Sequence, residues 1–145
     1  MAEIASIDKK NICTKHGVER TLNKDGSTRC GQCKRDSQKK RRNLYKSKLV
    51  EAHGSKCAIC GYCKTPNSLE FHHSDSKKKE FSISSNDVGS FEKLLEESKK
   101  CIMICANCHR EIHAGLVDVS TIKRSYIGLP DEQIKNLKQS NFDNY

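Results

Sequence analysis

LEFHHSD, residues 69–75, sets two histidines side by side at the end of a short apolar run. Imidazole is neither a good strand filler nor a usual carrier of surface charge, so an adjacent pair asks for a role. Along an extended strand successive side chains point to opposite sides. The two rings are therefore not expected to bind one ion together: one can hold metal while the other faces a different part of the same cleft. A neutral imidazole, with an ordinary pKa of about 6.5, can accept a proton at physiological pH without special tuning.

The partners of this pair lie downstream, in KKCIMICANCHREIHAG (99–115). His109 and His113 are four apart and share one face of a helix about a turn from each other, close enough for one ion. The spacing matches that of zinc proteases, but Glu111 falls at the third position of HxExH rather than the second and would point elsewhere. Two readings stay open here: His72 completes an open three-histidine metal site with His109 and His113, or the helical histidines contribute to a neighbouring zinc knuckle. In the first, His73 is left to hold a water, and a base facing an open metal suits phosphodiester hydrolysis.

Cysteine spacing frames this region. Cys57/Cys60 and Cys105/Cys108 form two CxxC pairs separated by 44 residues. A two-residue gap lets one tight knuckle aim both side chains at a single ion, and two knuckles complete a tetrahedron. So long a separation is expected when the knuckles clamp the two ends of a substructure. Between them lie an expected strand at Leu69–Phe71, a polar Ser- and Lys-rich loop, and an expected helix at Phe91–Lys99 with Leu94 and Leu95 inward. An ordinary finger of two Cys and two His fails on spacing, because no His follows His73 before His109. Cys63 and Cys101 are spare, and Cys101, next to the apolar run Ile102–Ile104, reads as a small buried filler.

Upstream, CTKHGVERTLNKDGSTRCGQC (13–33) repeats the device. Cys13 and His16, then Cys30 and Cys33, are each separated by two residues, with thirteen between the pairs. Those thirteen include Asp25-Gly26, a hairpin turn signal. A second structural zinc on a β-hairpin is expected. From Lys34 to about His53 no Gly or Pro interrupts the chain, and Leu44, Tyr45, Leu49 and Ala52 can share a face, so a basic helix stopped by Gly54 is expected. Residues 1–12 read as a loose arm, and LPDEQIKNLKQ (129–139), within the tail 116–145, as a possible short helix.

The bulk composition agrees. Only 34% of the 145 residues are hydrophobic and none is Trp, which favours a metal staple over a large core. Nine cysteines, an odd number, argue against a closed disulfide framework. No signal-peptide pattern or membrane-length apolar stretch is present, so an intracellular, reducing setting is expected, where clustered cysteines read as zinc ligands. The net charge is +9, and residues 34–48 hold eight Lys or Arg against one Asp. Such a run is often only a solvated face, but beside two metal modules it points to a polyanion, bound mainly through phosphates and weakened by salt.

LEFHHSD followed by CIMICANCHREIHAG resembles the HNH endonucleases, the ββα-metal nucleases, and especially the branch clamped by a four-cysteine zinc. The resemblance covers about Ser55–Gly115, and the module before it is similar to the front end of bacterial and phage-borne members. It implies a small α+β fold with a nuclease domain over 55–115 and a DNA-binding zinc hairpin plus basic helix over 13–53. It implies that His72 is a metal ligand, His73 the general base and His113 the firmer helical ligand. His109 would meet metal only with substrate bound, or brace the phosphate. It implies DNA cleavage to 5′-phosphate and 3′-hydroxyl ends in a bacterial or phage-infected cell. Lys34, Arg35, Lys39, Lys40, Arg41, Arg42, Lys46 and Arg110 are the expected phosphate contacts. The resemblance implies one divalent ion (Mg, Mn, Ni, Co or Zn) besides the two expected structural zincs. The family's middle Asn falls on Lys100, which leaves the bracing of His73 open. The rival readings are a non-catalytic zinc-finger nucleic-acid-binding protein and, more remotely, a module that meets an acidic protein partner.

Overall fold

The computed structural model describes residues 11–84 and 90–139. The expected arm over residues 1–12 lies almost wholly outside the described residues, as do part of the polar loop and the end of the tail. The protein is a small α+β chain whose described residues form two small antiparallel sheets and four α-helices, in two units, one ending at Arg42 and one beginning at Asn43. The units divide within the basic helix, ahead of the helix end at which the sequence suggests a boundary, because the last helical turns bury Leu49, Val50 and Ala52 in the second core.

In the first unit, β1 (Thr21–Leu22) and β2 (Thr28–Arg29) pair around the Asp25-Gly26 turn. Gly26 has φ +82°, a conformation that Cβ-bearing residues resist, and Asp25 Oδ1 accepts from the Ser27 amide at 2.9 Å. The buried centre of this unit is Cys13, Cys30 and Cys33. The helix α1 (Gly31–Ala52) starts immediately after the hairpin.

The end of α1 follows the chemistry of a glycine stop. Gly54 (φ +80°) lets its amide reach Glu51 O at 3.0 Å, and the Ser55 amide joins that of His53 on Val50 O, at 2.9 and 3.1 Å, so carbonyls of the last turn are satisfied. In the second unit β3 (Leu69–His73) pairs antiparallel with β4 (Cys101–Cys105), with His72 opposite Ile102 and His73 opposite Cys101. The strand thus runs two residues past the expected Phe71, through both histidines. All of β4 is buried, which is why CIMIC reads as an unbroken apolar run instead of alternating.

Between the strands comes α2 (Phe91–Ser98), capped by Ser90 Oγ accepting from the Lys93 amide and burying Phe91, Leu94 and Leu95. After β4 the chain turns directly into α3 (Ala106–His113). Val50, Leu69, Ile102, Met103 and Ile104 form one core, and Leu49, Ala52, Phe91, Leu94, Leu95 and Leu137 another. Cys101 is fully buried, as its filler role requires, while Cys63 is exposed.

The tail returns to the second unit. The amides of Ile127 and Gly128 donate to Ala52 O at 2.8 and 3.1 Å, and Leu137 of α4 (Asp131–Gln139) enters the core. His53, a histidine to which the sequence assigned no role, is the core side of this closure. Ser98 Oγ donates to Leu95 O, so it accepts from His53 Nε2 at 3.2 Å; Ser125 Oγ lies 3.0 Å from His53 Nδ1 and accepts the Met103 amide. This network is complete with a neutral ring, and burial lowers the His53 pKa to about 4.

The sign of the resulting pH dependence follows. Below about 6.5 the unfolded chain takes up a proton that the folded chain refuses down to about 4, so stability present above 6.5 is lost as pH falls. The loss should approach about 3 kcal/mol at pH 4. Denaturant unfolding of wild type and His53→Gln with zinc in excess should give a shallower slope for the variant between pH 6.5 and 4. Equal slopes would assign the acid loss to other groups.

Candidate metal centres

Among the described residues three groups of side chains converge well enough to hold a metal ion: Cys13, His16, Cys30 and Cys33; Cys57, Cys60, Cys105 and Cys108; and His72, His109 and His113. In each group the ligand atoms lie within 4.8 Å of one another.

In the hairpin group His16 Nδ1 lies 3.7, 3.6 and 3.3 Å from the sulfurs of Cys13, Cys30 and Cys33, and Cys13 Sγ is 3.6 Å from Cys33 Sγ. A tetrahedron with ordinary zinc bond lengths has S···N edges of about 3.6 Å and S···S edges of about 3.8 Å. A disulfide would need about 2.0 Å. The spacing is that of ligands around an ion. The other nitrogen of His16 donates to Asp36 Oδ2 at 3.0 Å, which fixes the tautomer that turns Nδ1 towards the sulfurs. Asp36, on the first turns of α1, was not foreseen.

The four-cysteine group joins elements distant in sequence. Cys57 and Cys60 sit on a knuckle held by Gly61, whose amide donates to Cys57 O at 3.0 Å; Cys105 ends β4 and Cys108 lies in the first turn of α3. Cys60 Sγ is 3.7 Å from Cys105 Sγ, again a tetrahedral edge. Burial pushes the Cys108 thiol well up, whereas for Cys57 the surrounding backbone amides outweigh burial and bring the pKa to about 7. Four thiols crowded in this way cannot all ionise without a cation. Both cysteine-rich groups suit structural zinc.

The histidine group forms where β3 faces α3. His72 lies 5.1 and 5.4 Å, ring centre to ring centre, from His109 and His113, and His109 Nε2 is 3.1 Å from His113 Nε2. Two nitrogens on one zinc-sized ion would be about 3.3 Å apart. Burial, then the nearness of His109 and His113, lowers the His72 pKa and keeps its lone pair available. His109 Nδ1 donates to Glu70 Oε2 at 2.5 Å, turning Nε2 towards His113. Glu70 was also missed, although strand alternation places it on the same face as His72. His109 and His113 converge with His72 in a group separate from the four cysteines.

His73 does not join this group. Its place in the strand turns it to the opposite face, where Nε2 donates to Glu97 Oε1 of α2 at 2.8 Å. Only a tenth of the His73 side chain is exposed, and Glu97 is buried. Lys100, at the position of concern, donates to Glu97 Oε2 at 2.8 Å and to Glu80 Oε1 at 2.5 Å. Burial opposes the charge on Glu97, but Lys100, the Glu80 amide and His73 outweigh it and bring its pKa to about 2. Glu111 and Asn107 are exposed and contribute to no metal group.

Among the expected phosphate contacts, Lys34, Arg35, Lys39, Lys40, Arg42 and Arg110 are exposed and Arg41 is half-buried. Lys46 differs: it is half-buried and donates to Asn67 O at 3.0 Å, within the second unit. Among the described residues no helix is long and apolar enough to cross a membrane. Comparison with protein-family models, curated proteins and solved structures finds no match to this chain.

Proposed function

We propose that the chain is a metal-dependent DNA endonuclease of the HNH type, with its ββα-metal element formed by β3, β4 and α3. The observation that carries the reading is the convergence of His72, His109 and His113 beside a complete four-cysteine clamp, with a further histidine next in the strand. His72, His109 and His113 suit a single divalent ion, which when bound would act as a Lewis acid on a phosphoryl oxygen and on the departing 3′-oxygen.

The chain's own residues supply the rest. His73 takes a proton from water as its oxygen bonds to phosphorus, the P–O3′ bond breaks, and the departing 3′-oxygen takes a proton from solvent, to which His73 later gives up its own, leaving 5′-phosphate and 3′-hydroxyl ends. His73 is the last residue of β3, and at the end of a two-stranded sheet a phosphate can meet groups from both faces. Arg110 and the exposed basic residues of α1 neutralise flanking phosphates, so affinity falls with salt. They carry little base information.

One observation favours a second reading, a non-catalytic nucleic-acid-binding protein: His73 is largely buried against Glu97. Supercoiled plasmid decides between them. Wild type and His73→Ala, each carrying structural zinc, are offered Mg, Mn, Ni or Co in turn. Wild type should nick or linearise the plasmid, and the variant should cut about 10²-fold or more slowly. If neither cuts while both bind, the binding-protein reading stands.

A further inference from the structure

We infer that Glu97, held by Lys100 and the Glu80 amide, is the positioning residue that fixes His73 in the tautomer whose Nδ1, not Nε2, takes the proton. The inference rests on the nuclease reading and extends it to residues of the loop and helix between the two strands.

A carboxylate can only accept, so the 2.8 Å contact means that His73 Nε2 carries a hydrogen, and in the neutral ring Nδ1 then bears the lone pair. The rest of the carboxylate is fully used. Glu97 Oε1 also accepts the Glu80 amide at 3.0 Å, and Oε2 accepts Lys100 Nζ at 2.8 Å. Lys100 Nζ reaches on to Glu80 Oε1 and to Lys78 O, while Lys100 O accepts the Ser74 amide at 3.3 Å. The segment after His73 is thus fastened at Ser74, Lys78 and Glu80 to one buried carboxylate and the lysine beside it. The side chain that replaces an expected Asn therefore supplies an alternative brace. A network this fully satisfied is rigid. As the proton passes from water to Nδ1, the fixed negative charge on the far side of the ring stabilises the imidazolium that results.

Two measurements test this on the full-length, zinc-loaded protein. Imidazole ¹⁵N spectra of wild type, with His73 assigned from His73→Gln, should show Nε2 protonated and Nδ1 bare in the neutral ring. The opposite tautomer would overturn the inference without any variant having to fold. Glu97→Gln should bind DNA and keep zinc as wild type does, while its single-turnover cleavage rate falls by about 10²-fold. Full cleavage by a folded Glu97→Gln would reduce the pair to a structural contact and leave the nuclease reading intact. A wild type that cuts under no divalent ion would overturn both.

Discussion

Removing zinc from the cluster of Cys57, Cys60, Cys105 and Cys108 should unfold the unit that begins at Asn43. These cysteines bind a knuckle before β3, the last residue of β4 and the first turn of α3 into one point. Nothing covalent replaces that tie, because all the cysteines are free. Structural zinc contributes about 10–16 kcal/mol of apparent binding free energy at neutral pH, whereas a whole domain is stable by only about 5–15 kcal/mol. The two apolar cores are small, and the buried Cys57, Cys105 and Cys108 form part of one of them. Cys108→Ser, or a strong chelator under reducing conditions, should therefore abolish the cooperative unfolding transition. Far-UV circular dichroism alongside zinc analysis reads the outcome. The variant should retain one structural zinc in the hairpin and lose that of the clamp. A chelated protein that still melts cooperatively would show that the apolar cores suffice.

The second large effect is expected at the histidine group. His72→Ala and His113→Ala should each lower divalent-ion-dependent plasmid cleavage by about 10³-fold or more, since Lewis-acid stabilisation is worth several kcal/mol. Stability should change little, because His113 is exposed and none of the three rings anchors a core. Cobalt absorption gives a readout that does not depend on cleavage. Wild type should take up an ion beyond the two cysteine-rich groups, and His113→Ala should not. Glu70→Gln should weaken that third ion about 10–100-fold, because Glu70 sets the tautomer of His109. Unaltered binding in His72→Ala would place the ion on the helical pair alone.

The Cys and His pairs within each candidate group were legible from the sequence because they are local. Two intervening residues between Cys or His pairs fit one knuckle whatever surrounds it, and four residues on a helix return to the same face. The same locality made the hairpin at Asp25-Gly26 and the stop at Gly54 readable, whereas Cys101–Cys105 showed itself only as an apolar run and its pairing as a strand came from the structure. Alternation in β3 likewise foretold that His72 and His73 would part company, and the strand does separate them.

What could not be read is which groups meet across elements. His109 finds Glu70 39 residues away, and His73 finds Glu97 24 residues away. His53, which ended the basic helix in the sequence, is closed over by Ser98 and Ser125, and Lys46, counted with the DNA-facing residues, is taken by Asn67 O. Charge and polarity gave each of these residues many possible partners, and only the register of β3 on β4, with the packing of α2 and the tail around them, selects one. The sequence by itself determined the Cys and His pairs of the candidate metal groups and the hairpin and helices that carry them. The tertiary structure alone decided which carboxylates orient the histidines, because a hydrogen bond needs atoms brought to about 3 Å, and no local spacing rule reaches across a fold.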